Sequence, residues 1–271
     1  MPTTNTKISV IMGIYNCAET LGEAIDSLRN QTYPHWKLIM CDDGSSDNTY
    51  EIAKQYSEQY PDQIVLLKND KNMGLNFTLN RCSEYVDTEY IARMDGDDIS
   101  LPQRFEKEID FLNNNPNVDF VSCNMGFFDE NGTWGHTNAT PKPQCKDFLR
   151  STQFCHAPCM IRTNAFRAVS GYSDSKYLLR VEDYHLWVKM YEKGFCGVNL
   201  SESLYLMRDD RNAIQRRKFK YRVNEAYVKT LVIKKFHLPF YSYLYCLRPI
   251  LLGLTPRFIY VFLHKAKHKK H

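Results

Sequence analysis

At 271 residues, with 43% hydrophobic and 24% charged side chains, the chain is long enough to bury a full core and has the composition of a soluble globular protein. Nine cysteines at irregular spacings fit no disulfide framework and predict a reducing compartment. The close pair Cys155 and Cys159 lacks a second pair at zinc-finger spacing and reads as ordinary buried thiols. The net charge of +4 is unevenly spread: residues 211–271 hold 15 Lys or Arg against one acid, Glu225, a local +14 that leaves −10 over residues 1–210.

The polar start, residues 1–6, predicts no secretory signal. Residues 8–14 read as a buried strand and 19–30 as a helix with Leu21, Ile25 and Leu28 on one face. A strand over 36–41 leads to a helix capped by Asp47 and ended by Pro61, then to a strand over 64–67. A helix over 75–86, a strand over 90–94 and a helix from Pro102 to Asn114 complete a βαβαβαβ series. Short connections make a mostly parallel sheet with helices on both faces the economical topology. Beyond residue 115 the pattern changes. Strands are expected over 118–123 and 156–161, a hairpin turn at Asp129-Glu130-Asn131-Gly132, and an amphipathic helix over 182–193 ending at Gly194.

Two acidic clusters follow strands: Asp42-Asp43-Gly44-Ser45-Ser46-Asp47 and Asp95-Gly96-Asp97-Asp98. In an open α/β sheet the carboxyl ends of strands are where ligands bind. Asp95 and Asp97 are two residues apart, so at an extended strand end their carboxylates point the same way. Two hard oxygen ligands suit Mg²⁺ or Mn²⁺, ions that complete their shell with water and substrate phosphates, so a diphosphate is the implied ligand. A solvated acidic turn ahead of the next helix is the other reading of the tetrapeptide.

The ordered set of segments resembles glycosyltransferase family 2, whose members have the GT-A fold and move a sugar from a nucleotide-sugar to an acceptor. It comprises residues 8–16, Gln31-Thr32-Tyr33, the cluster at 42–47, Asn72-Met73-Gly74, the cluster at 95–98 and Glu182-Asp183, and spans most of residues 7–210. The resemblance implies a Rossmann-like GT-A domain over residues 1–210, with a nucleotide-sugar half at 1–115 and an acceptor half at 116–210. It places Gly13 and Tyr15 in the nucleobase pocket, Asp43 on the base, at a uracil N3–H, and Asn72 and Asn80 on the ribose side. For Asp43 a turn residue, for the asparagines a helix-entry turn, and for Tyr15 a core position remain the alternatives. Asp97 becomes the principal metal ligand with Asp95 its partner, while Asp98 either shares the ion or caps the following helix. Family 2 enzymes are inverting, and their base commonly sits in a Glu-Asp pair at a helix start, which makes Asp183 the expected base and Glu182 its support. Arg208, Arg211, Arg216 and Arg217 fall where relatives carry a loop over the donor, so an arginine is expected to neutralise phosphate there. His156 is expected to be a core or supporting histidine.

Residues 211–271 form a basic, helical, amphipathic extension, dense in Phe, Tyr and Leu over 236–263. Its most apolar stretch, residues 249–263, is 15 residues broken by Pro256 and Arg257, short of the roughly 20 that a membrane span needs. Aromatic and basic flanks predict contact with an anionic membrane surface instead; no nucleic-acid motif accompanies them. The expectation is a cytoplasmic, peripheral-membrane, Mn²⁺- or Mg²⁺-dependent inverting glycosyltransferase. It takes a UDP-sugar and transfers one sugar to a saccharide or lipid-linked acceptor of a surface polysaccharide or glycolipid. A catalytically silent nucleotide-binding scaffold and a sugar nucleotidyltransferase are the competing readings.

Overall fold

The first strand, β1 (Ile8–Ile14), divides its side chains between two apolar clusters. Ile8, Val10, Met12 and Ile14 pack into one and Ile11 into the other, because successive side chains of a strand point to opposite faces. The computed structural model describes residues 6–208 and 218–255. The following elements are α1 (Leu21–Arg29), β2 (Trp36–Asp42), α2 (Thr49–Gln59), β3 (Ile64–Lys68), α3 (Leu75–Glu84), β4 (Tyr90–Arg93), β5 (Ile99–Ser100) and α4 (Arg104–Asn114). Then come β6 (Phe120–Asp129), β7 (Gly132–His136), β8 (Met160–Arg162), α5 (Thr163–Ala168), α6 (Glu182–Glu192), β9 (Gly197–Arg208), α7 (Phe219–Lys235) and α8 (Leu247–Leu254). A 3-10 turn lies at Cys145–Leu149 and another at Phe240–Cys246.

The strands form one mixed sheet in the order β3-β2-β1-β4-β8-β6-β9-β5, with β7 paired to β6. The β3-β2-β1-β4 half is wholly parallel, as the strand and helix alternation predicts. Helices cover both faces. Leu21, Ile25 and Leu28 of α1, Ala53 of α2 and Phe105, Ile109 and Leu112 of α4 fill one cluster. Leu79 and Cys82 of α3, Phe166 of α5, Trp187 of α6 and Val228, Val232 and Ile233 of α7 fill the other. The tail helix α7 therefore shares the core of the sheet.

The second half departs from the sequence reading in extent. β6 runs on to Asp129 instead of ending near residue 123, and β8 is confined to Met160–Arg162. The hairpin at Asp129 to Gly132 forms as expected, with Gly132 at φ 103°. β9 was not foreseen. Its middle, Ser201-Glu202, is polar and exposed, and its register against β6 shifts beside Cys123 and Asn124, so no simple period marks it. Asp47 lies just outside α2, and its carboxylate accepts the Thr49 amide (3.0 Å) and the Ala18 amide (3.2 Å), joining the helix start to the β1–α1 turn. Among the described residues no helix is long and apolar enough to cross a membrane.

Candidate active site

The carboxyl ends of β1 and β2 meet at Asp43, which is buried. Its Oδ1 accepts Asn69 Nδ2 and the Met73 amide, both at 2.8 Å, and its Oδ2 accepts the Gly74 amide at 2.9 Å. Asp43 thereby holds the loop between β3 and α3 against the end of β2. That loop crosses directly above Gly44, where a Cβ would lie 2.7 Å from the Lys71 carbonyl carbon and 2.9 Å from the Asn72 nitrogen. Gly44 also has φ +73°, so both space and backbone require glycine. Tyr15, just past β1, is 48% exposed, and Asn72 is exposed on the loop that Asp43 holds. Gly13 admits α3: a Cβ there would stand 3.2 Å from both Leu75 Cδ1 and Thr78 Cγ2.

The second acidic cluster leaves the end of β4. Ligand oxygens of Asp95, Asp97 and Asp98 lie within 4.8 Å of one another. This all-oxygen set fits a hard dication such as Mg²⁺ or Mn²⁺. Gly96 packs the cluster onto the end of β1, since a Cβ there would lie 3.0 Å from Cys17 Sγ and 3.1 Å from Ile14 Cγ2. Thr20 Oγ1 donates to the Gly96 carbonyl at 3.0 Å. Cys17 lies under both acidic segments: burial pushes its thiol up to about 12, and the charges of Asp97 and Asp47 add to the effect. Clusters fifty residues apart in the chain thus share one end of the sheet.

Arg93, the last residue of β4, grips Asp95 with two prongs, Nη1 to Oδ2 at 2.8 Å and Nη2 to Oδ1. Burial works against the guanidinium's charge and Asp95 outweighs it, holding Arg93 above its ordinary value. A carboxylate has about four lone-pair sites, so Asp95 keeps acceptor capacity for an ion. Asp98 is buried and accepts the Arg208 amide at 2.9 Å and a hydrogen bond from Tyr205. Burial, and then its neighbours Asp95 and Asp97, push Asp98 well above the usual carboxylate range, which is the electrostatic condition a dication would relieve. Arg208 closes this side: its Nε donates to the Asp97 carbonyl at 3.0 Å, its Nη2 pairs with Glu23, and its guanidinium lies 4.5 Å from the Phe128 ring centroid.

Asp183 sits in the first turn of α6, half-buried, with Thr152 Oγ1 donating to its Oδ2 at 3.2 Å. Burial raises its pKa, against the opposing pull of the Tyr184 amide, Thr152 and Arg93. Glu182 is raised as well, by burial and then by the charge of Asp183. His156 has its Nε2 2.7 Å from the Tyr172 hydroxyl. Burial, and then the Arg93 charge, hold it well below its ordinary value, so it is neutral. Arg93 therefore acts electrostatically on the carboxylates of both β4 and α6.

Gly13, Tyr15, Asp43 and Asn72 gather at the ends of β1 and β2, and Asp95, Asp97 and Arg208 gather at the ends of β4 and β9. Asn80, expected on the ribose side, is engaged elsewhere: its Nδ2 donates to the Tyr172 carbonyl at 2.8 Å and its Oδ1 accepts the Tyr172 amide at 2.9 Å. Arg211, Arg216 and Arg217 lie outside the described residues. Sequence reasoning missed Arg93, Tyr205, Thr152 and Asn69. Only Arg93 carried a signal, a charged residue inside an otherwise apolar strand next to the acidic cluster.

The family model for glycosyl transferase family 2 matches residues 9–174. EpsE of Bacillus subtilis (strain 168), described as a candidate glycosyltransferase, is 40% identical over 96% of this chain and 94% of its own length. An Escherichia coli enzyme, the UDP-Glc:alpha-D-GlcNAc-diphosphoundecaprenol beta-1,3-glucosyltransferase WfgD, is 28% identical over 79% of this chain and 81% of its own. Among solved structures, S. aureus TarS 1–349 in complex with UDP superposes with a TM-score of 0.67 at 16% identity, over 93% of this chain and 72% of that one. The mannosyltransferase PcManGT from Pyrobaculum calidifontis, in complex with GDP-Man and Mn²⁺, gives 0.61 at 16% identity, over 98% and 81%. These likenesses bear out the GT-A architecture and the helical C-terminal extension.

Proposed function

Because the chain belongs to glycosyl transferase family 2 and is a glycosyltransferase, we propose that it moves one sugar, with inversion, from a UDP-sugar to a hydroxyl of a saccharide or lipid-linked acceptor in the synthesis of a surface polysaccharide or glycolipid. The observation that carries this reading is the close set of carboxylates at Asp95, Asp97 and Asp98 on the same sheet end as Asp43. UDP is favoured because TarS is solved with UDP and WfgD is named for UDP-Glc. The name of WfgD also supports a lipid-diphosphate acceptor.

In this reading Gly13, Tyr15, Asp43 and Asn72 form the nucleotide end of the site. Asp97 and Asp95, with Asp98 beside them, would hold Mn²⁺ or Mg²⁺, which would supply Lewis-acid stabilisation of the charge on the leaving diphosphate. Arg208 adds a positive charge at the same end. Asp183 takes the acceptor hydroxyl's proton as that oxygen bonds to the anomeric carbon. The bond from that carbon to the diphosphate oxygen breaks in the same in-line step, and the oxygen keeps the electron pair. A base raised by burial toward the working pH is suited to this task.

The tail is assigned to the inner face of the cell membrane. Phe240, Tyr241, Leu244, Leu247, Leu251 and Leu254 are 54–86% exposed, and Arg248 lies among them. Such a face with a strongly basic background suits an anionic bilayer surface. Residues 256–271, the rest of the expected membrane segment, lie outside the described residues. Sedimentation with phosphatidylglycerol-containing vesicles, reduced in Phe240→Ser/Leu251→Ser, tests this part.

Calorimetric titration of UDP, GDP and dTDP, each with and without Mn²⁺, tests the site. Mn²⁺-dependent binding of UDP that Asp97→Asn abolishes is expected. Absence of binding by folded protein for all three nucleotides would overturn the donor-site assignment and favour the scaffold reading.

A further inference from the structure

Lys229 is wholly buried in α7, and its ammonium is spent on main-chain carbonyls of another segment. Nζ donates to the Leu149 carbonyl at 2.6 Å and to the Arg150 carbonyl at 3.0 Å, at the end of the 3-10 turn Cys145–Leu149. The last carbonyls of a helical turn have no partner inside it, and a cation is a favourable one. Arg248 of α8 supports the same place, with Nη1 donating to the Arg150 carbonyl at 2.9 Å. Glu225, one turn back on α7, lies 3.8 Å from Nζ.

The segment so held touches α6 at consecutive residues. The Tyr184 hydroxyl donates to the Phe148 carbonyl, and Thr152 Oγ1 donates to Asp183 Oδ2 at 3.2 Å. Lys229 Nζ itself lies 5.9 Å from the Tyr184 ring centroid. Burying a lone ammonium is costly unless its donors are satisfied, and burial lowers this one to about 8 despite Glu225. An apolar side chain would fill the space between α7 and α6 without that cost. What it would not do is fix the carbonyls of Leu149 and Arg150.

We propose that Lys229 is a positioning residue: from the C-terminal helix it fixes residues 148–152 so that Thr152 stays hydrogen-bonded to Asp183, joining the tail to the acceptor side of the site. The functional weight of this contact rests on Asp183 being the base. A hydrogen bond to the carboxylate favours its charged form, so the contact also sets where Asp183 ionises. The other groups acting on that carboxyl are Arg93 from β4, Tyr172 and Cys155 from the connecting segments, and Glu182 and Tyr184 of its own helix.

The test is the titration of Asp183 in the full chain, followed by NMR of protein carrying ¹³C-carboxyl aspartate, with the signal assigned by its loss in Asp183→Asn. It needs no donor or acceptor. Lys229→Met is expected to raise the midpoint by roughly half a pH unit or more, Thr152→Val to match it, and the double variant to add nothing further. Lys229→Arg, which keeps the charge, is expected to stay near wild type. An unchanged midpoint in folded Lys229→Met, or an equal shift in Lys229→Arg, overturns the proposal. Should Lys229→Met not fold, Lys229→Gln, which removes the charge and keeps a polar side chain, replaces it on the same criteria. Sugar transfer by Asp183→Asn is assayed separately: transfer retained there would remove the base assignment while leaving the brace measured by NMR.

Discussion

Arg93 and Asp95 form a two-pronged ion pair in which the guanidinium is buried, at 5% side-chain exposure, and the carboxylate reaches the surface at 29%. The pair fixes the direction of the first carboxylate of the acidic cluster. It does so from a buried position at the end of β4.

Arg93→Lys is therefore not a conservative change, because a point charge cannot reproduce the fork. Loss of an outer partner of a metal-binding carboxylate typically costs about 10- to 100-fold in affinity. Mn²⁺-dependent UDP binding in Arg93→Lys is expected to weaken by that factor, measured by calorimetry, with metal-free binding little changed. Equal affinity in the two proteins would remove Arg93 from the site.

Gly44→Ala is expected to destabilise the protein by at least about 1–2 kcal/mol, the cost of a left-handed backbone for a residue with a Cβ. Displacement of the Lys71–Asn72 backbone, 2.7–2.9 Å from the new atom, adds to it. Urea denaturation measures the loss. Nucleotide affinity should fall with it, since the displaced loop is the one Asp43 holds.

His156 is neutral in the fold because burial and Arg93 depress its pKa well below 6.5. Below that value the unfolded chain binds a proton that the folded chain refuses, so His156 costs stability as the pH falls from about 6.5 toward its folded pKa. His156→Gln, which retains a partner for Tyr172, removes this dependence. Its destabilisation at pH 7.5 should shrink by at most about 2 kcal/mol at pH 5, at about 1.36 kcal/mol per pH unit below 6.5. A penalty constant across that range, by urea denaturation at both pH values, would contradict the assignment.

Arg104 and Glu108 form an ion pair with neither side chain exposed, and Arg104 Nη2 also donates to the Arg93 carbonyl at 2.9 Å. Arg104→Met strands the carboxylate and is expected to cost about 3–5 kcal/mol. Arg104→Met/Glu108→Leu should recover much of this, because replacing both partners removes the unpaired buried charge. Chemical denaturation of both variants and of Glu108→Leu closes the cycle.

The parallel half of the fold was legible because each of its elements carries its own period. β1 alternates faces, and α1 and α4 show Leu21, Ile25 and Leu28, or Phe105, Ile109 and Leu112, at helical spacing. β9 was not, because the exposed Ser201-Glu202 interrupts its burial and its pairing to β6 shifts register there. The carboxylates were legible for a similar local reason: Asp95 and Asp97 are neighbours in the chain. Their partners were not, since Arg93 stands out in its apolar strand but names no partner until burial denies it water, and Tyr205 and Arg208 meet the cluster across more than a hundred residues.

From the sequence alone follow the strand and helix alternation, the acidic ends of β2 and β4, the basic tail and the family resemblance, all properties of short windows and their order. Tertiary structure decided which groups those windows meet. It turned Asn80 onto the Tyr172 backbone, placed Asp98 in a buried position beside Asp95 and Asp97, set Thr152 on Asp183 and brought Lys229 to the Leu149 carbonyl. The physical reason is that a polar side chain takes its role from the partners and water that packing leaves within hydrogen-bonding reach, and those partners lie far away along the chain.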